Sequence, residues 1–333
     1  MRFIIYGAGG IGGTIGARLF QQGFEVVLIA RGDHGRVLQQ RGLNLVAPDG
    51  EFQLEIPTVL HPRDLTLHRD DVLLLAMKSQ HTVAALEELL ALGAPELAVV
   101  CAQNGVANER MALRRFERVS AMLVHMPTLH LAPGQVITHA AGHGGILDTG
   151  RFPGGVDDTV RLLTGALSQA GFSARPDAAV MRLKYAKLLA NLNNVLEAAN
   201  DFGPGARDIS RLLKREALAC FAAAGIDCAS AEDMRAREEG VYEYVDLPGY
   251  PRVGGSSWQS IARGTGNIET DYLNGEIVQL GRLHGVPTPA NAVCQAVARR
   301  MVNERLAPGS IASETILAEI ERAARNGAAA SSA

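Results

Sequence analysis

Apolar and polar positions along this 333-residue chain change rhythm once, near residue 176. Before that point, short apolar runs recur between turn signals: Met1–Tyr6, Glu25–Ile29, Asp71–Met77, Leu97–Cys101 and Val119–Val124. Near-continuous runs of this length predict strands buried on both faces, and therefore a mostly parallel sheet. Pro48-Asp49-Gly50 predicts a hairpin turn. The glycine-rich stretch 134–155 is expected to extend the sheet with antiparallel strands at its edge, with 171–176 as the last piece. From Asp177 the period becomes helical, over 178–200, 206–225, 229–239, 268–284, 288–304 and 310–325. The pattern predicts an α/β chain: a doubly wound sheet domain at 1–176, an all-helical domain at 177–325, and a small, polar, frayed tail at 326–333. Two domains also suit the length, because single cores stop growing near ~250–300 residues.

The first apolar run breaks into Gly7-Ala8-Gly9-Gly10-Ile11-Gly12, where a strand should turn into a helix. The amphipathic run after it carries Ile15, Leu19 and Phe20 and stops at Gly23. In this context the glycines have separate physical roles: the first permits the tight turn, the second admits a pyrophosphate to the backbone, and the third allows close helix–strand packing. The loop therefore predicts a dinucleotide on the N-terminus of a helix, in a Rossmann-type domain. At the end of the second strand, an NAD site usually places Asp or Glu for the ribose hydroxyls. This chain has Arg31 there, and a guanidinium grips a 2′-phosphate with paired charge-assisted bonds, so the expected cofactor is NADPH.

Net charge is −3, which implies no basic face for nucleic acid or anionic membrane. No signal segment or apolar stretch near the ~20 residues of a membrane span is visible, so a cytoplasmic location is expected. Cys101, Cys220, Cys228 and Cys294 form no CxxC or zinc spacing, which predicts reduced core thiols and no metal. Among the 32 basic residues only Lys78, Lys184, Lys187 and Lys214 are lysines. Arginine supplies the ordinary surface charge, and the lysines become candidates for chemistry.

The first helical segment sharpens that expectation. From Arg182 to Asn200 it is apolar on nearly every side, the mark of a helix buried all round. Lys187, Asn191 and Asn194 interrupt it at i, i+4 and i+7, a polar stripe on one face. A buried lysine without a partner is costly, so the stripe must face a polar cleft or a satisfied network. Lys78 and Asn104 follow predicted parallel strands at their carboxyl ends, where open α/β sheets place ligands. Late in the chain, Ser256 and Ser257 can donate hydroxyl bonds to an anion. Glu269 is expected in the first turn of a helix capped by Asn267, an environment that favours its ionised form.

Together these residues resemble the ketopantoate reductase family. The resemblance runs from Gly7 to about Asn291 and rests on the glycine loop with Arg31, Lys78, Gln103-Asn104-Gly105, Lys187 with Asn191, Ser257 followed twelve residues later by Glu269, and His284-Gly-Val-Pro-Thr-Pro-Ala-Asn291. It implies a Rossmann domain and a helical domain with the active site between them. The implied reaction is NADPH-dependent reduction of a 2-keto acid, ketopantoate to pantoate in pantothenate biosynthesis. Lys187 would be the general acid, and Asn104 and Asn191 would orient substrate and nicotinamide. Glu269 would accept a substrate hydroxyl, Ser257 would hold the carboxylate, and Lys78 would lie near the cofactor. The chain departs from the family pattern at Val195, where a second asparagine is common and Asn194 stands one position earlier, at Ile261, and at His125-Met-Pro-Thr128. These departures bear on which keto acid is reduced. A β-hydroxyacid dehydrogenase would leave the Ser257 and Glu269 cluster unexplained, and an NADPH-sensing protein would have no need of Lys187. A helix such as 310–325 suits a homodimer and equally suits packing inside one chain.

Overall fold

The computed structural model describes residues 1–93, 96–264 and 268–331, with side chains through 326. It divides into two compact units, Met1–Lys184 with Ser230–Arg252, and Tyr185–Ala229 with Val253–Ala333.

The first unit opens β1 (Arg2–Tyr6), α1 (Gly10–Gln21), β2 (Glu25–Ile29) and α2 (Gly32–Arg41). A hairpin follows, β3 (Leu43–Ala47) and β4 (Gly50–Leu54), turning at the Pro48-Asp49-Gly50 signal. Next come β5 (Thr58–Val59), β6 (Val72–Leu75), α3 (Thr82–Leu90), β7 (Ala98–Cys101), α4 (Asn108–Leu113) and β8 (Val119–Met122). The chain continues through β9 (Thr128–Leu129), β10 (Gln135–Thr138), β11 (Ala140–Gly142), β12 (Thr149–Arg151) and α5 (Asp158–Gln169). The main sheet has the order β12-β8-β7-β6-β1-β2-β5, parallel except for β12. Leu73, Leu74, Val99, Val100, Ile4 and Ile5 are wholly buried in it, as strands covered on both faces require. Strand order reverses between β1 and β6, and ligands of such sheets bind beyond the carboxyl ends at that point.

The stretch 134–155 departs from expectation. Only β12 joins the main sheet; β10 pairs parallel with β3 in a separate sheet of order β4-β3-β10-β9. Val136 of β10 is buried in the cluster that holds Ile15 and Leu19 of α1, so the second sheet packs over that helix.

The second unit takes up α6 (Val180–Asn191) at Tyr185, then α7 (Asn194–Asn200) and α8 (Ala206–Ala223). The chain returns to the first unit with α9 (Ala231–Glu238), started by a Ser230–Asp233 capping box, and β13 (Tyr242–Tyr244), antiparallel to β11. The Arg237 side chain, 8% exposed, fixes this return: Nε donates to Asp148 Oδ2 at 2.5 Å and Nη2 to Oδ1 at 2.7 Å. The second unit resumes with α10 (Ser256–Ala262), a 3-10 turn at Glu269–Tyr272, α11 (Asn274–His284), α12 (Pro289–Asn303) and α13 (Ser313–Ser331). Gly285 ends α11 in the left-handed region at φ 69°, and Pro289 opens α12, the expected asymmetry of helix ends.

The long helix expected over 178–200 is two helices. Leu192 and Asn193 separate them, and Leu192 O accepts Asn274 Nδ2 at 3.2 Å. The carbonyl thus bonds a side chain from α11, and the asparagines around it are weak helix formers. Nor is the segment buried all round: Ala190 is exposed and Lys187 half-buried. Among the described residues no helix is long and apolar enough to cross a membrane.

Candidate functional site

The glycine loop lies at the switch point. Gly7 has φ 103°, and a Cβ there would stand 2.6 Å from Met77 N, so the loops after β1 and β6 meet backbone to backbone. At Gly12 a Cβ would stand 2.1 Å from Gly7 O. Gly9, the N-cap of α1, is open by contrast: the nearest atom to an added Cβ is His130 Cδ2 at 3.8 Å. It supplies no side-chain cap, and the first turn contains no acid, so this helix start suits an anion. Gly10, Ala8 and Ile11 complete the loop, Ala8 buried and Ile11 packed on the core. His34 on α2 fixes it from outside, a role its sequence context did not signal. Its Nδ1 accepts Gly134 N at 2.9 Å, which leaves Nε2 to donate to Ala8 O at 2.8 Å.

Arg31 stands two residues beyond β2, half-exposed, with its guanidinium 5.4 Å from the Tyr6 ring centre. Its Nη2 donates to Glu88 Oε2 at 2.8 Å and to the Tyr6 hydroxyl, which donates in turn to Glu88. Burial and the Glu88 carboxylate push the Tyr6 phenol up to about 12, so it remains a donor.

Lys78 and Asn104 follow β6 and β7, both half-buried. A buried network joins their loops. Gln103 Nε2 donates to Met77 O and to Thr82 Oγ1, each at 2.8 Å, and Thr82 Oγ1 donates to Asn108 Oδ1 at 2.8 Å. Asn108 Nδ2 donates to Ser79 Oγ at 3.0 Å and Asn104 O at 3.2 Å. Lys184 closes the network: its Nζ reaches Gln103 O at 2.8 Å, Met122 O at 3.0 Å and Glu109 Oε1 at 2.8 Å. Its side chain is 3% exposed and that of Glu109 0%. The buried lysine of α6 is therefore Lys184, and the cost of burial expected of Lys187 is met at Lys184 by a carboxylate and two carbonyls. Burial, reinforced by the Glu109 charge, pushes the neighbouring Cys101 thiol up, and all four cysteines are free.

Lys187 begins the polar positions of the second unit. Asn191, four residues on, is buried, and its Nδ2 has no hydrogen-bond partner among the described residues. Asn194 lies beyond the helix break. It stands on α7 beside the start of α10, donating to Ser256 Oγ at 3.4 Å, while Glu197 Oε2 accepts Gly255 N at 3.0 Å. Ser257 is buried, and its Oγ also lacks a partner among the described residues. Glu269 is buried in the 3-10 turn that precedes α11, following Ile268, rather than in the first turn of an α-helix. Asn267, its expected cap, lies outside the described residues. The glycine loop, Arg31, Lys78 and Asn104 thus belong to the first unit, and Lys187, Asn191, Asn194, Ser257 and Glu269 to the second.

Comparisons with known proteins cover both units. Residues 3–154 match the family model described as ketopantoate reductase PanE/ApbA, and residues 178–302 match the model of its C-terminal domain. The 2-dehydropantoate 2-reductase of Mesorhizobium japonicum is 28% identical, over 92% of this chain and 99% of that protein. That of Halobacterium salinarum is 27% identical, over 87% and 95%. Among solved structures, a PanE/ApbA family ketopantoate reductase from Ralstonia eutropha superposes with TM-score 0.76 at 27% identity, covering 92% of this chain and 99% of that one. A D-mandelate dehydrogenase, solved with NADH and anilino(oxo)acetate, has the same fold, with TM-score 0.76 at 22% identity over 92% and 100%.

Proposed function

The chain belongs to the ketopantoate reductase family, and from that premise we propose that it is an NADPH-dependent reductase of a 2-keto acid, with ketopantoate the first substrate to test. The observation that carries the reading is two buried polar atoms, Asn191 Nδ2 and Ser257 Oγ, that have no hydrogen-bond partner among the described residues. An unmet buried donor costs about 1–3 kcal/mol, and a ligand that accepts from it would recover that cost. Asn191 lies four residues from Lys187.

Gly7, Gly9 and Gly12 would hold the pyrophosphate against the start of α1, and Arg31 the 2′-phosphate. When bound, the nicotinamide supplies the hydride that goes to the keto carbon. Lys187 donates a proton to the oxygen, which would otherwise become a bare alkoxide, so hydride and proton together convert C=O to CH–OH. Ser257 donates to the carboxylate, Asn104 and Asn191 orient the reacting groups, and Glu269 accepts a substrate hydroxyl. Lys78 adds positive charge beside the cofactor.

The D-mandelate dehydrogenase likeness, with the departures at Val195 and Ile261, favours one second reading: the same chemistry on another 2-keto acid, one bearing an aryl group. A panel of 2-keto acids followed by NADPH absorbance separates these. Lys187→Ala is expected to lower kcat by ~100- to 10,000-fold while the NADPH Kd stays within about twofold. Parallel loss of NADPH binding would make Lys187 structural, and no oxidation with any 2-keto acid would sink the proposal.

A further inference from the structure

Arg31 is not a lone cation. Three neighbouring parallel strands, β1, β2 and β5, end close together, and each brings one group to that edge: Tyr6, the last residue of β1, Arg31 two beyond β2, and His61 two beyond β5. Glu88 reaches them from α3, and its carboxylate bonds two of them and lies near the third. Oε2 accepts Arg31 Nη2 at 2.8 Å and the Tyr6 hydroxyl, and Oε1 lies 3.7 Å from His61 Nε2. The His61 ring is held by Arg63, whose backbone N and Nε donate to Nδ1 at 3.1 and 3.0 Å, with the guanidinium Nη2 3.3 Å from Nε2.

This arrangement alters what Arg31 can select. A 2′-phosphate carries close to two negative charges, and a site built for it alone would leave the guanidinium without a competing anion. Here the approaching phosphate meets the Glu88 carboxylate on the same guanidinium. Both Arg31 hydrogen bonds among the described residues leave from Nη2, so a phosphate can still engage the rest of the fork, against that repulsion. An unphosphorylated ribose finds the opposite balance: its 2′-hydroxyl can donate to Glu88 and accept from Arg31 at once. A carboxylate is the usual acceptor for that hydroxyl in NAD sites, although it usually comes from the end of β2.

We propose that Glu88 is a cofactor-selecting residue: with Arg31 it forms an ion pair that admits NADH as well as NADPH, and loss of its charge restricts the chain to NADPH. The inference rests on the dinucleotide site proposed above and assigns to α3 a share in a choice otherwise given to Arg31.

The test titrates full-length wild type, Glu88→Gln and Arg31→Ala with NADPH and with NADH, following nicotinamide fluorescence. Kinetics with an accepted keto acid then give KM and kcat for each cofactor. Wild type should bind both within an order of magnitude. Glu88→Gln should raise the NADPH-over-NADH preference about tenfold or more through Kd and KM, the worth of one charge-assisted bond, with kcat nearly constant. Arg31→Ala should shift the preference the other way. Glu88 is partly exposed, so melting temperatures should agree closely. A preference unchanged within twofold in Glu88→Gln, or moved toward NADH, would overturn the proposal while leaving the site intact. Failure of wild type to bind either dinucleotide would overturn both readings.

Discussion

The glycine loop after β1 and the polar positions of α6 and α7 were the two strongest signals in this chain, and they encode geometry in different ways. The loop is specified by what its residues lack: at Gly7 and Gly12 any Cβ would strike backbone. That constraint is local and survives translation from sequence to structure almost unaltered. The α6 and α7 positions are specified by what their side chains reach, and reach depends on elements far along the chain. Lys184 and Lys187 sit three residues apart in the same apolar stretch, yet one is sealed against Glu109 and the other is half-buried. A missing side chain is read locally, whereas a present one must be read against its partners.

The largest expected effect tests the side-chain half. Lys184→Ala leaves the Glu109 carboxylate buried without its cation, which should cost about 3–5 kcal/mol in urea unfolding. The double variant Lys184→Met with Glu109→Leu removes both charges and should recover most of that loss. Equal destabilisation by Lys187→Ala would erase the distinction between the two lysines.

The loop yields a pair of intermediate effects. Gly12→Ala sets a methyl 2.1 Å from Gly7 O, and overpacking of this kind costs ~1–3 kcal/mol, so stability and NADPH affinity should fall together. Gly9→Ala meets nothing closer than 3.8 Å. It should keep the wild-type melting temperature and lose affinity alone, because its methyl occupies the phosphate's approach. If both variants unfold alike, the loop glycines serve packing and not a ligand.

The same contrast explains how far the sequence could be read. The parallel strands were legible because a strand buried on both faces needs an unbroken apolar run, and β2 and β7 are such runs with glycine or polar turns beside them. The pairing of β10 with β3 was not, since a short apolar strand carries no label for its sheet. The break after Asn191 was hidden for a similar reason: the amide that takes Leu192 O belongs to Asn274, 82 residues away. Glu88 reads as an ordinary helix acid until the fold places it against Arg31. Of the candidate site, the residue types were legible and their exposure was not: Asn191, Ser257 and Glu269 are buried, and Lys187 is less so than its surroundings suggested.

The smallest expected effect bears on that break. A continuous helix would place Asn194 on the face of Lys187 and Asn191 and make the two asparagines comparable. In the observed fold Asn194 makes one 3.4 Å bond to Ser256, near the outer limit for such a contact and worth roughly 0.5 kcal/mol or less. Asn191, its amide buried without a partner among the described residues, has far more to gain from a substrate. Asn194→Ala should therefore change kcat/KM by less than about threefold, against tenfold or more for Asn191→Ala, since a donor that meets its acceptor only when substrate is bound contributes ~1.5 kcal/mol or more. Equal losses in the two variants would mean that α6 and α7 act as one helix when substrate is present, and that the stripe read from the sequence is the working arrangement.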